Sequence, residues 1–205
     1  IGWLAGINAV AIYQVAIQIF NYINMFLSAS ESVLGPILSK ELNRNVEVGK
    51  FIISRMSKYA FWLSSMIMIM SYLTVPWAIK LLFGHKYDVS ILPFYIILLA
   101  LPFVGLSMPL RPAFFAIKGQ KHLLKIHFLV TAIMYPLAAI LTIFLREING
   151  ALGFAIMFPV IALLAWIFRA LDIRKLLGSM PFQLKHLFVF DKYDRDLLSR
   201  IRGAV

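Results

Sequence analysis

The chain has 205 residues, 61% of them hydrophobic and only 14% charged, and its mean hydropathy is +0.86. A soluble domain carries roughly 25% charged residues, so this composition excludes a water-soluble enzyme, a secreted module and a disordered tail. Twenty Lys and Arg against nine Asp and Glu give a net charge of +11. In a soluble protein that excess would point to nucleic acid, but in a membrane protein it reports which loops face the cytoplasm, and no nucleic-acid partner is expected. Cysteine is absent from the sequence, which removes disulfides, thiolate zinc sites and cysteine nucleophiles. Residue 1 is Ile and no signal peptide precedes the apolar start, so the chain reads as an internal or C-terminal piece of a longer protein.

A bilayer core of about 30 Å asks for roughly 20 mostly apolar residues per helix. Five stretches qualify, at about 9–35, 59–79, 89–117, 126–145 and 151–168. The expected fold is therefore all-α and polytopic, with about five transmembrane helices in residues 1–177 and a tail from 178 to 205.

The first span is the most polar. Gln14, Gln18, Asn21, Asn24, Ser28 and Glu31 recur at helical spacing and, at about 100° per residue, share one arc of roughly 140°. Ile12, Val15, Ile19, Ile23, Phe26 and Leu27 occupy the other side. Such a stripe is expensive in lipid. It reads either as hydrogen-bonding glue between helices or as the wall of a hydrated cavity, and six polar residues on one face favour the wall.

The second span, 59–79, ends before Lys80. The third contains Pro93, Pro102, Pro109 and Pro112, the fourth Pro136 and the fifth Pro159. Membrane helices tolerate proline where neighbours satisfy the freed carbonyl, so these spans are expected to be kinked and packed. Arg111 is the charge left inside the third span. On a helix it lies about 10 Å deeper than Lys118. Either it snorkels to the interface, or it lines an internal cavity where its guanidinium clamps phosphate oxygens. Glu31 is then its resting partner or a cation site.

Sixteen of the twenty basic residues fall in alternate segments, after the first, third and fifth spans, against Lys80, Lys86 and Arg146 on the opposite side. This asymmetry places those segments and the C-terminus in the cytoplasm and the start of the chain outside. The tail reads as an amphipathic segment on the cytoplasmic face. Its Asp191, Asp194 and Asp196 alternate with Lys192 and Arg195 and read as surface ion pairs. His85, His122, His127 and His186 are scattered without metal-ligand spacing. No phosphate loop or catalytic triad pattern is present, so no enzyme activity, cofactor or metal is expected.

Several short motifs add a resemblance. The run Ala9 to Ala16 resembles the opening of a helix in polysaccharide flippases, with Ala11 where that family has Gly. Val33-Leu34-Gly35-Pro36-Ile37-Leu38-Ser39-Lys40 is similar to the family's Leu-x-Pro-x-Ser ending of the same helix. Leu82-Phe83-Gly84-His85-Lys86-Tyr87 resembles its Phe-Gly-x-x-Tyr external turn, and Asn149-Gly150-Ala151-Leu152-Gly153 its Gly-x-x-Gly turn before the last helix.

The resemblance, over about residues 5–175, is to the polysaccharide branch of the multidrug/oligosaccharidyl-lipid/polysaccharide exporter superfamily. It implies most of one six-helix bundle of a two-lobed flippase, whose partner is an N-terminal lobe. The implied activity moves a polyprenyl-pyrophosphate-linked glycan across the cytoplasmic membrane by alternating access. Arg111 would then meet phosphate and the Gln14-to-Glu31 face sugar hydroxyls. Competing expectations are a cation-coupled multidrug exporter using Glu31, a membrane-embedded glycosyl or prenyl transferase, and a non-transporting scaffold.

Overall fold

A computed structural model describes residues 6–145, 149–178 and 185–188. In them the protein is an all-α, polytopic membrane protein, with five helical segments long and apolar enough to cross a bilayer. Helix α1 is Ile7–Arg44 and α2 is Val46–Phe83. A 3-10 helix, His85–Ser90, leads into three short helices, α3 (Ile91–Leu98), α4 (Leu101–Ser107) and α5 (Leu110–Ala116). Then come α6 (Gln120–Phe144), α7 (Leu152–Leu177) and the four-residue α8 (Lys185–Phe188).

The first two helices run well past the expected spans. Each has 38 residues, about 57 Å at 1.5 Å per residue, and so outruns the apolar core by several turns. The stretch between residues 35 and 59, expected as a loop, is the tip of a helical hairpin. Apolarity marks where a helix meets lipid, whereas the helix itself continues wherever backbone bonds and good helix formers such as Leu, Lys, Arg and Glu allow. Only Asn45 interrupts it, in an extended conformation (φ −154°, ψ 112°), with its side chain accepting the Glu47 N–H at 2.9 Å as an N-cap. Gly49 sits so close to Leu42 that any Cβ there would collide with the leucine side chain.

The third span behaves as its prolines require. Pro102 and Pro109 cannot bond to the carbonyls four residues back, and the helix breaks just before each of them. At the breaks the chain tightens to i−3 bonds, Leu99 N–H to Ile96 O (3.2 Å), Ala100 N–H to Ile97 O (3.0 Å) and Met108 N–H to Gly105 O (3.2 Å). Pro36, Pro76, Pro136 and Pro159 lie inside unbroken helices.

This broken segment is the centre of the bundle. Half of its most apolar window is buried, against 11–22% for the other four spans. It packs on α1, α2 and α7, while α6 packs chiefly on α7. The exposed Met66, Ile69, Leu73 and Trp77 of α2 follow a spacing of three and four, a lipid-facing stripe.

Two apolar cores sit at opposite ends. One joins Leu38, Leu42, Ile53, Leu110, Phe114 and Ile173, and the other Phe20, Ile79, Phe94, Ile97 and Ala155. Close approach uses small residues. A Cβ on Gly105 would meet the Ala60 carbonyl and Ser64 of α2, and one on Gly153 would strike the backbone of Thr142 in α6. Beyond α7, α8 docks on α2. The Trp62 indole donates to Leu187 O at 2.8 Å, and Phe188 meets Phe61 and Trp62 edge-on. The rest of the expected amphipathic tail, with Asp191, Asp194 and Asp196, lies outside the described residues.

Candidate functional site: a polar stripe ending in an arginine–glutamate cluster

Helix α1 presents three faces. Ala16, Phe20, Leu27, Leu34 and Leu38 are buried and fall within an arc of about 40° at 100° per residue. Phe26, Val33 and Ile37 are exposed on a second, apolar face. The predicted polar stripe is the third. Its members at the edge of the buried arc, Asn24 and Glu31, are half-buried, while Gln14, Gln18, Asn21 and Ser28 are exposed.

The hydrogen bonds of the stripe stay mostly within α1. Gln18 Nε2 donates to the Tyr22 hydroxyl of its own helix at 3.2 Å, and Ser28 Oγ donates to Met25 O at 3.0 Å. Among the described residues, only Glu31 bonds to another helix. The amides are thus left on an open side of the bundle, and because lipid is a costly solvent for them, that side must front water or another polar surface. At the far end Tyr13, beside the stripe, meets Phe154 edge-on, which in turn meets the exposed Tyr135.

Glu31 lies between Leu27 of one apolar core and Leu34 of the other. Arg111 Nη1 approaches Glu31 Oε2 at 3.4 Å, with the arginine side chain 50% exposed and the glutamate 25%. That is longer than the 2.7–2.9 Å of a tight charged hydrogen bond, so most guanidinium donors remain available. The Glu31–Arg111 pair is thus present, and the half-exposed arginine side chain is compatible with both placements expected for it.

Arg169 is the residue the sequence reading missed. Counted as the first charge after a span ending at Phe168, it lies instead within α7, which runs on to Leu177. Arg169 is half-buried, interacts electrostatically with both Glu31 and Arg111, and leaves its Nε without a hydrogen-bond partner among the described residues. Arg111 and Arg169 open onto a recess of about 480 Å³, bordered also by Gln120, Lys121, His127 and Phe115. Arg111, Lys121 and Arg169 line the recess and, among the described residues, no carboxylate does, so even with Glu31 beside Arg111 it is net positive and favours an anion.

The resembling turns are built as structure. Gly84 ends α2 at φ +79°, a conformation that L side chains rarely adopt, its carbonyl accepts the Tyr87 N–H at 3.1 Å, and Phe83 packs edge-on to Tyr87. Asn149 Oδ1 accepts the Ala151 N–H at 3.0 Å ahead of α7. Among the described residues no group of three or more His, Asp or Glu is arranged to hold a metal ion. Comparison with protein-family models, curated proteins and solved structures finds no match to this chain.

Proposed function

We propose that the protein is part of a flippase that moves lipid-linked oligosaccharides across the cytoplasmic membrane by alternating access, with its C-terminus in the cytoplasm. The observation that carries this reading is the open amide stripe of α1 ending at Glu31, which pairs with Arg111 beside the net-positive recess that Arg111 and Arg169 line. Amides suit sugar hydroxyls, and free guanidinium donors suit a pyrophosphate. The polyprenyl tail would stay in lipid while the head passes along the stripe, and a second lobe facing α1 would close the water-filled path. The proline-broken central segment supplies joints for rocking between inward and outward states. Such transport breaks no covalent bond.

A metal cation coupled through Glu31 would have to displace the Arg111 guanidinium, which lies 3.4 Å from Glu31 Oε2. This weighs against the drug-exporter reading. The test is Arg111→Ala in the complete protein, with glycan export, drug efflux and membrane insertion measured together. Export should be lost while insertion survives. Normal export would remove Arg111 from the site, and loss of efflux with export intact would favour the exporter instead.

A further inference from the structure

A second recess, of about 580 Å³, lies between α6 and α7 at the end of the bundle where the basic segments gather. Its rim carries Lys121 and Lys125 from the first turns of α6 and Lys175 from the last turn of α7, all exposed. Its floor is apolar: Leu129 and Phe168 stand one to two turns deeper, and Ile126 is buried. At the mouth His122 Nδ1 lies 3.3 Å from Asp172 Oδ2, which ties the helices together and engages the lining carboxylate.

From this layering the geometry points to a binding site for an anionic phospholipid of the adjoining leaflet. The phosphate sits among the three lysines, and the glycerol and first acyl carbons rest on Leu129 and Phe168. A charged rim over a greasy floor, set at the ends of two membrane-spanning helices, matches the headgroup-to-chain order of a lipid; basic pockets between such helices take anionic headgroups in this way. A free phosphate would use the rim and leave the floor uncovered. Lys121 borders both recesses, but the lipid site does not depend on the transport reading.

The experiment uses purified protein in a zwitterionic detergent, with bound lipid read by native mass spectrometry and stability by thermal unfolding. Phosphatidylglycerol should remain bound and raise the unfolding temperature, whereas phosphatidylcholine and inorganic phosphate should do neither. Lys125→Gln/Lys175→Gln should weaken phosphatidylglycerol binding about tenfold or more. Lys40→Gln/Arg174→Gln removes the same charge from exposed positions at the same end outside the recess, and should change binding less than about twofold. Leu129→Trp, which fills the floor and keeps every charge, should also displace the lipid. Equal losses in both double variants would reduce the effect to net charge and overturn the site. Equally tight phosphatidylcholine, full stabilisation by inorganic phosphate, or unchanged binding in Leu129→Trp would overturn it too. Each readout is independent of export, so failure here leaves the flippase proposal standing.

Discussion

The Glu31 carboxylate pairs with Arg111 where α1, α5 and α7 converge, with Arg169 near enough to feel both charges, and removing the carboxylate leaves Arg111 uncompensated in a partly dehydrated recess. Glu31→Gln should therefore lower the unfolding temperature more than Glu31→Gln/Arg111→Gln does, a non-additivity that a double-mutant cycle in detergent measures directly. If the double variant loses as much as the two single losses combined, the residues do not act as a pair. Arg169→Gln should reduce glycan export as Arg111→Ala does, checked against membrane insertion. Glu31 and Arg111 were legible in the sequence because a charge inside an apolar run is conspicuous. Arg169 was not, since it stands at a span's end beside Arg174 and Lys175 and looks like the start of a basic tail. Only the neighbours on α1 and α5 distinguish it from them.

Helix lengths and contacts show a similar division. The five apolar runs were readable because hydropathy tracks contact with lipid. The true ends of α1 and α2 were not, because polar helix extends freely into water and stops only where Asn45 leaves helical geometry. Likewise four prolines in one span announced trouble, but which ones break the helix depended on packing. The glycines give a sharp test. At Gly153 an added side chain meets the Thr142 backbone, and at Gly105 the Ala60 carbonyl, so neither site relaxes by turning a neighbouring side chain. Gly105→Val and Gly153→Val should each destabilise the bundle by about 1–3 kcal/mol, seen in thermal unfolding. Gly35, also helical, has nothing within 4 Å of the added atom. Gly35→Ala should be neutral or stabilising by up to about 1 kcal/mol, although it lies within one of the resembling motifs.

Over the whole molecule, the alternation of spans puts Lys40, Arg44, Lys118 and Arg174 at one end of the bundle and Lys80 and Lys86 at the other. The lack of native cysteine makes the sidedness easy to measure. Arg44→Cys and Lys86→Cys should label with a membrane-impermeant thiol reagent from opposite sides, Lys86→Cys in intact cells and Arg44→Cys only after permeabilisation. Labelling of both from one side would overturn the topology.

By itself the sequence determined that this is a multi-pass helical membrane protein and that one helix carries a polar face. Hydropathy, periodicity and charge placement are local, and the bilayer acts on each span separately. The tertiary structure decided what that face meets: Arg111 pairs with Glu31 with Arg169 nearby, the amides make no hydrogen bond to the other described helices, and a lysine-rimmed recess opens between α6 and α7. Those depend on how helices distant in sequence turn toward one another, which small residues such as Gly105 and Gly153 set through packing that no single span contains.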